Sequence, residues 1–291
     1  MNDQAKALRH SFGGAGVTMQ DAGQDRRSAA ARACRSIAVT SGKGGVGKSH
    51  ISLSLAIALS SLNKKVCIVD ADLGLANIHL LLGIVPKRNL SHLIDEECML
   101  SEIITNGPAG VHIIPGASGL EKLADLDPLR MGMLQRKLGE LEKQYDYMII
   151  DTGAGIGKIT VEFASKADMA VVVLTPEPTS FADAYAMVKV LYDKKITRLT
   201  ALLNMVSNDA EGKETFDKLN TLVVKFLKRP VDLIGMLPFD KQVSVLAKKQ
   251  KMMLMENPRS LFSGRMSAVA RALGGVQASR REGFFARLFK L

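Results

Sequence analysis

Apolar residues along the chain recur in two rhythms, and their alternation predicts the fold class. Short β-branched runs stand at Ile37 to Thr40, Val66 to Asp70, Val111 to Pro115, Tyr147 to Asp151, Met169 to Leu174, Leu199 to Asn204 and Val231 to Leu237. Between them, apolar positions three and four apart mark helices near 48–62, 127–143, 158–166, 180–193 and 213–227. Strands alternating with helices of this length build a parallel sheet with helices on both faces. The expected class is therefore α/β with a doubly wound, mostly parallel sheet. Runs such as Met169 to Leu174 show no polar alternation, as strands covered on both faces should. In such sheets ligands lie beyond the carboxyl ends of the strands.

Both flanks depart from this rhythm. Residues 10–35 are rich in Gly, Ala, Ser, Asp and Arg and read as a flexible linker, preceded by a short helix-prone stretch, Asp3-Gln4-Ala5-Lys6-Ala7-Leu8-Arg9. At the other end Phe284, Leu288 and Leu291 fall at i, i+4 and i+7 with Phe285 and Phe289 beside them, while Arg280, Arg287 and Lys290 lie opposite. Such a basic amphipathic helix suits an anionic membrane surface. It would equally serve as a terminal helix docked on the protein's own core; the crowding of Phe and cations behind Gly274-Gly275 favours the membrane. The expected division is a flexible segment over 1–35, one α/β domain over 36–272 and a membrane-targeting helix over 273–291.

Composition narrows this picture. A chain of 291 residues with 47% hydrophobic residues can bury one sizeable core. No apolar h-region follows Met1 and no run approaches the roughly 18 apolar residues of a spanning helix, so a cytosolic protein is expected. Cys34, Cys67 and Cys98 are scattered without metal-site or disulfide spacing, and Trp is absent. Of the net charge of +10, residues 1–36 and 280–291 each contribute +3, leaving +4 for the middle. That is a weak electrostatic basis for a core that wraps DNA, and DNA is not the expected partner.

The strongest chemistry lies in Gly42-Lys43-Gly44-Gly45-Val46-Gly47-Lys48-Ser49, which fits G-x-x-x-x-G-K-[ST], follows a strand run and opens a helix. Glycines let the backbone approach phosphate, the N–H groups form an anion nest, and the helix N-terminus adds favourable partial charge. Lys48 is placed to neutralise the β and γ phosphates and Ser49 to ligate Mg²⁺. Lys43 is not required by the general pattern. It is either a solvated loop lysine or a charge supplied to a transition state across a dimer, as an arginine finger is. Asp70 and Asp72 close the second strand run at i and i+2. They are candidates for water-mediated Mg²⁺ binding and for orienting the attacking water, though an Asp at a strand end also serves as a helix cap. Asp151 ends another apolar strand, in the Walker B arrangement, with Gly153 and Gly155 as a switch loop. Asn204 and Pro238 close later strands, where an amide can read an adenine edge or simply serve a turn.

Together these residues resemble the MinD/ParA (SIMIBI) family of dimerising, deviant Walker A P-loop ATPases over about residues 36–272. Within it, Asp70-Ala-Asp-Leu-Gly-Leu-Ala-Asn77 and Asp151-Thr-Gly-Ala-Gly155 look like the FlhG branch, also called FleN or YlxH, which regulates flagellar number and placement. The resemblance implies ATP and Mg²⁺ as cofactors, slow switch-type hydrolysis, an ATP-dependent homodimer, and a peripheral position at the inner face of the cell membrane. It implies a nucleotide site of Gly42, Gly44, Gly45, Val46, Gly47, Lys48, Ser49, His50, Asn204 and Pro238, with Lys43 and Asp72 catalytic and Ser49, Asp70 and Asp151 at the metal. Asp3, Gln4, Ala5, Leu8 and Arg9 look like the segment that activates an FlhF-type SRP GTPase. Flagellar switch (C-ring) proteins and a flagellar transcription regulator are further implied partners. His50 departs from the small or amide residue common there, and His79 from an acid. A ParA-like DNA-binding partition ATPase and a non-catalytic nucleotide-sensing scaffold are the competing readings.

Overall fold

In the computed structural model, which describes residues 34–72, 78–116, 128–274 and 282–289, eight strands join into one sheet. They are β1 (Arg35–Ser41), β2 (Val66–Ala71), β3 (Thr105–Asn106), β4 (His112–Ile114), β5 (Tyr147–Ala154), β6 (Met169–Leu174), β7 (Leu199–Val206) and β8 (Asp232–Pro238). Their spatial order is β3-β4-β2-β5-β1-β6-β7-β8, and every neighbouring pair is parallel except β3 with β4. The expected doubly wound, mostly parallel sheet is the one observed. The central strands read β-branched throughout because both faces are covered: β1, β2 and β6 are buried at nearly every position.

The α-helices of the described residues are α1 (Lys48–Ser60), α2 (Ile78–Leu82), α3 (Leu90–Ile94), α4 (Pro128–Glu142), α5 (Lys158–Lys166), α6 (Pro178–Asp193), α7 (Asp209–Leu227), α8 (Lys241–Lys248), α9 (Met253–Glu256), α10 (Leu261–Gly274) and α11 (Phe284–Leu288). One sheet face is covered by α3 to α7 and α11, the other by α1, α2 and α8 to α10. Helix α1 carries Ile51, Leu53, Leu55, Ile57 and Leu59, all buried, so it is apolar on every side and sits inside the layer. The register of β2 against β5 sets Asp70 beside Asp151, and that of β7 against β8 sets Val206 beside Pro238. The two acids therefore share one end of the sheet, where α1 begins.

Helix α10 was not expected, although Phe262, Met266, Val269, Ala270 and Leu273 have helical spacing and all are buried. Small residues between them dilute the apolar signal.

The C-terminal helix differs from the sequence reading. Phe284 and Phe285, expected to face a membrane, are 2% and 1% exposed, and Leu288 and Phe289 are half-buried against the same cluster. Phe284 packs on Phe163 of α5 at 6.0 Å between ring centroids. The Glu142 carboxylate at the end of α4 accepts hydrogen bonds from the backbone N–H of Phe284 (2.9 Å) and Phe285 (2.6 Å). Burial raises the Glu142 pKa, and those two N–H groups oppose the rise. Arg287, assigned to a solvated polar face, is 7% exposed and ion-pairs with Asp168 at 3.0 Å. The helix docks inward because its cation finds a buried carboxylate and its rings find a helix groove, neither of which is local in sequence. Leu291 and the N-terminal Asp3, Gln4, Ala5, Leu8 and Arg9 lie outside the described residues.

Candidate nucleotide site

The glycine loop connects β1 to α1 at the carboxyl end of the sheet, and two neighbours set its shape. Gly42 lies against the first turns of α6 so closely that a Cβ there would sit 2.1 Å from the backbone oxygen of Asp183. Gly47 caps α1 with φ of 84°, a left-handed conformation, and a Cβ there would meet the Asn204 amide nitrogen at 2.6 Å. Asn204, 6% exposed at the end of β7, donates from Nδ2 to the Val46 carbonyl at 2.8 Å. Its amide thus braces the loop itself. Pro238 closes the adjacent β8, and the Phe239 N–H bonds the Val206 carbonyl at 2.9 Å.

Beneath the loop, Lys48, Asp70 and Asp151 form a buried charged group, 7%, 1% and 0% exposed. Lys48 Nζ lies 3.4 Å from Asp151 Oδ1, which also accepts from the Ser52 hydroxyl at 2.8 Å; Ser49 bonds the same carboxylate. Asp70 accepts from the backbone N–H of Asp72 (3.2 Å) and of Ile78 (3.1 Å). Burial, and next the charge of Asp151, push the Asp70 pKa up to about 7. Burial likewise raises that of Asp151, against the pull of Lys48. The ammonium thus reaches one of two neighbouring buried carboxylates, and Asp151 Oδ2 has no hydrogen-bond partner among the described residues. Such an excess of hard oxygen donors fits Mg²⁺. Because no cluster of three His, Cys, Asp or Glu among the described residues can hold a metal alone, Ser49 and phosphate oxygens would complete the shell.

Asp72 follows β2 and leans toward the Walker B loop: its Oδ1 lies 3.5 Å from where a Cβ of Gly153 would be. That loop is tied to the phosphate loop through the Gly155 N–H on the Ser41 carbonyl (2.9 Å). Lys43 reaches the start of α6. Its ammonium contacts Glu177 (2.7 Å) and the Thr179 hydroxyl (2.8 Å) at the start of α6, with its side chain 35% exposed. Sequence reading missed Glu177, Thr179 and Ser52. Nothing local marks them, since each acts through a partner more than 90 positions away.

His50 sits on the first turn of α1 against Phe262, edge-on at 5.8 Å, with Nδ1 3.4 Å from the Ser54 hydroxyl and a buried, unpartnered Nε2. Burial lowers its pKa to about 4 from an ordinary 6.5. The unfolded chain therefore binds more protons between those values, so the stability due to neutral His50 is present above pH 6.5 and is lost as pH falls toward 4. At about 1.4 kcal/mol per pKa unit this amounts to roughly 3 kcal/mol. Scanning calorimetry from pH 7 to pH 5 should show a smaller drop in Tm for His50→Gln than for the native chain.

Comparison with known proteins agrees with this geometry. The profile of the ParA family, described as "NUBPL iron-transfer P-loop NTPase", matches residues 32–274. The chain is 40% identical over 235 residues to the antiactivator FleN of Pseudomonas aeruginosa, covering 80% of this chain and 84% of that protein. It is 34% identical over 264 residues to the flagellum site-determining protein YlxH of Helicobacter pylori, covering 87% and 89%. The septum site-determining protein MinD of Pyrococcus horikoshii, solved with Mg-ADP, has the same fold, with a TM-score of 0.67 at 24% identity over 85% of this chain and 100% of that one. The chain belongs to the MinD/ParA family of P-loop ATPases, in the branch that holds FleN and YlxH.

Proposed function

We propose that this ATPase is a slow molecular switch that dimerises on ATP with Mg²⁺, docks on an anionic membrane through residues 280–291 once α11 has left the groove in which it rests, and regulates flagellar number or placement. The names of its relatives, an antiactivator and a flagellum site-determining protein, support the flagellar role. Residues 1–35 are assigned to activation of an FlhF-type SRP GTPase, with flagellar switch proteins and a flagellar transcription regulator as further partners.

In this reading the loop N–H groups and the N-terminus of α1 hold the β and γ phosphates, and Lys48 neutralises them. Ser49, Asp70 and Asp151 hold Mg²⁺, which when bound offsets phosphate charge and orients the nucleotide. Asp72 orients the attacking water and receives its proton. The observation that carries the dimeric switch is Lys43. Its ammonium rests on an exposed ion pair at the rim, from which it can exchange Glu177 for the phosphates of a second copy at little cost, because exposed pairs are worth only about 0–1 kcal/mol.

The test combines light scattering with phosphate release. Lys43→Ala should still bind ATP as a monomer and fail to dimerise. Asp72→Ala should dimerise on ATP and lose hydrolysis about 100-fold or more, as expected for a proton-handling group. Equal hydrolysis by Asp72→Ala and the native protein would overturn the assignment.

A further inference from the structure

The core's positive charge is not spread over the molecule. Residues 37–239 hold 22 Lys/Arg against 23 Asp/Glu, whereas residues 240–274 hold seven against two. Almost the whole excess therefore sits on α8, α9 and α10. Helix α8 turns Val243 and Leu246 to the core and exposes Lys241, Val245 and Lys248, with Lys249 at its end. A hydrogen bond from Asn257 to Gln242 (2.8 Å) ties α8 to the α9–α10 turn, where Met255 and Leu261 are 50% and 62% exposed beside Arg259. Gln250 lies over Gly83, which brings Val85, 88% exposed, and Lys87 to the border of the same face. Glu256 pairs with Lys251 at 3.1 Å, Asp209 of α7 pairs with Arg265 at 2.6 Å and Asp240 caps α8 by accepting from the Gln242 N–H at 2.8 Å, so the positive charge of the face is carried chiefly by Lys241, Lys248, Lys249 and Arg259.

We infer that this face is a second membrane contact, a patch that lies on the surface of an anionic bilayer independently of the C-terminal helix. It rests on the proposed membrane docking and adds a site to it. Cations flanking isolated, protruding aliphatic side chains match an interfacial surface: the ammonium groups stay among lipid phosphates while the aliphatic groups enter the acyl boundary. Nucleic acid would reward the cations but leave Val85, Val245, Met255 and Leu261 in water, and Phe239, 56% exposed just before α8, is a single ring where base stacking calls for several. A groove that could take a protein segment lies elsewhere among the described residues, beside α7, lined by Phe181, Ala210 and Leu222. Since the docked α11 keeps Phe284 and Phe285 inside, the α8–α10 face presents membrane-type chemistry without any rearrangement.

The test uses the full chain carrying Lys248→Glu with Lys249→Glu, in co-sedimentation with phosphatidylglycerol-containing and with pure phosphatidylcholine vesicles under ATP and Mg²⁺. Steady-state ATP hydrolysis serves as the control and should be unchanged. Affinity for the anionic vesicles should fall about tenfold or more, since each basic residue at such a surface contributes severalfold. Binding to neutral vesicles should not change. If the native chain binds anionic vesicles and loses them on removal of 280–291 but not with the lysine reversals, this inference alone fails. If the native chain binds no vesicles, the membrane reading fails and takes this one with it. Loss of duplex DNA binding in place of vesicle binding would overturn the inference and assign the face to nucleic acid.

Discussion

Replacing Gly42 by alanine should remove ATP binding, with a loss of at least about 100-fold in affinity by calorimetric titration, the scale set by a displacement of about 1 Å at a reacting site. The added Cβ would lie 2.1 Å from the Asp183 oxygen and 2.4 Å from its carbonyl carbon. Those are backbone atoms inside α6, held by the helix and by Ala184, Met187 and Val188 in the core, so α6 cannot yield. The loop must yield instead, and the nest of N–H groups loses its alignment. Gly139→Ala in α4, outside the loop, is the control, because its added Cβ would have open space around it. If Gly42→Ala binds ATP like the native chain, the loop does not form the phosphate cradle in this shape.

Arg287→Ala should lower Tm by several degrees. Arg287 donates to the Lys166 carbonyl (2.8 Å), to the Ser36 hydroxyl (3.0 Å) and to the Glu282 carbonyl, and it balances the buried Asp168. Asp168 also accepts from the Ser36 N–H at 3.0 Å, which fastens α11 to the first residues of β1. Removing one partner of a buried pair costs about 3 kcal/mol, and a protein of this size shifts by roughly 2–4 °C per kcal/mol. An Arg287→Ala/Asp168→Asn double variant should recover part of the loss, because the uncompensated charge is then gone. A single variant that melts like the native chain would mean that the docked helix contributes nothing to the fold.

The sequence alone determined the class of the sheet and the phosphate loop, because both depend on short-range signals. Continuous β-branched runs report strands covered on two faces, and a glycine run between a strand and Lys-Ser reports a backbone built to approach phosphate. The two acids Asp70 and Asp151 could be nominated from their places at strand ends, but only the register of β2 on β5 set them side by side. Burial first, and that juxtaposition next, push the Asp70 pKa up to about 7. Tertiary structure alone decided the resting partners of Lys43, the brace from Asn204 to the loop, and the inward docking of Phe284 and Phe285. An amphipathic helix has the same periodicity whether its apolar face meets lipid or its own core. What separates the two is a carboxylate at position 142 and another at 168, far along the chain and brought there only by folding.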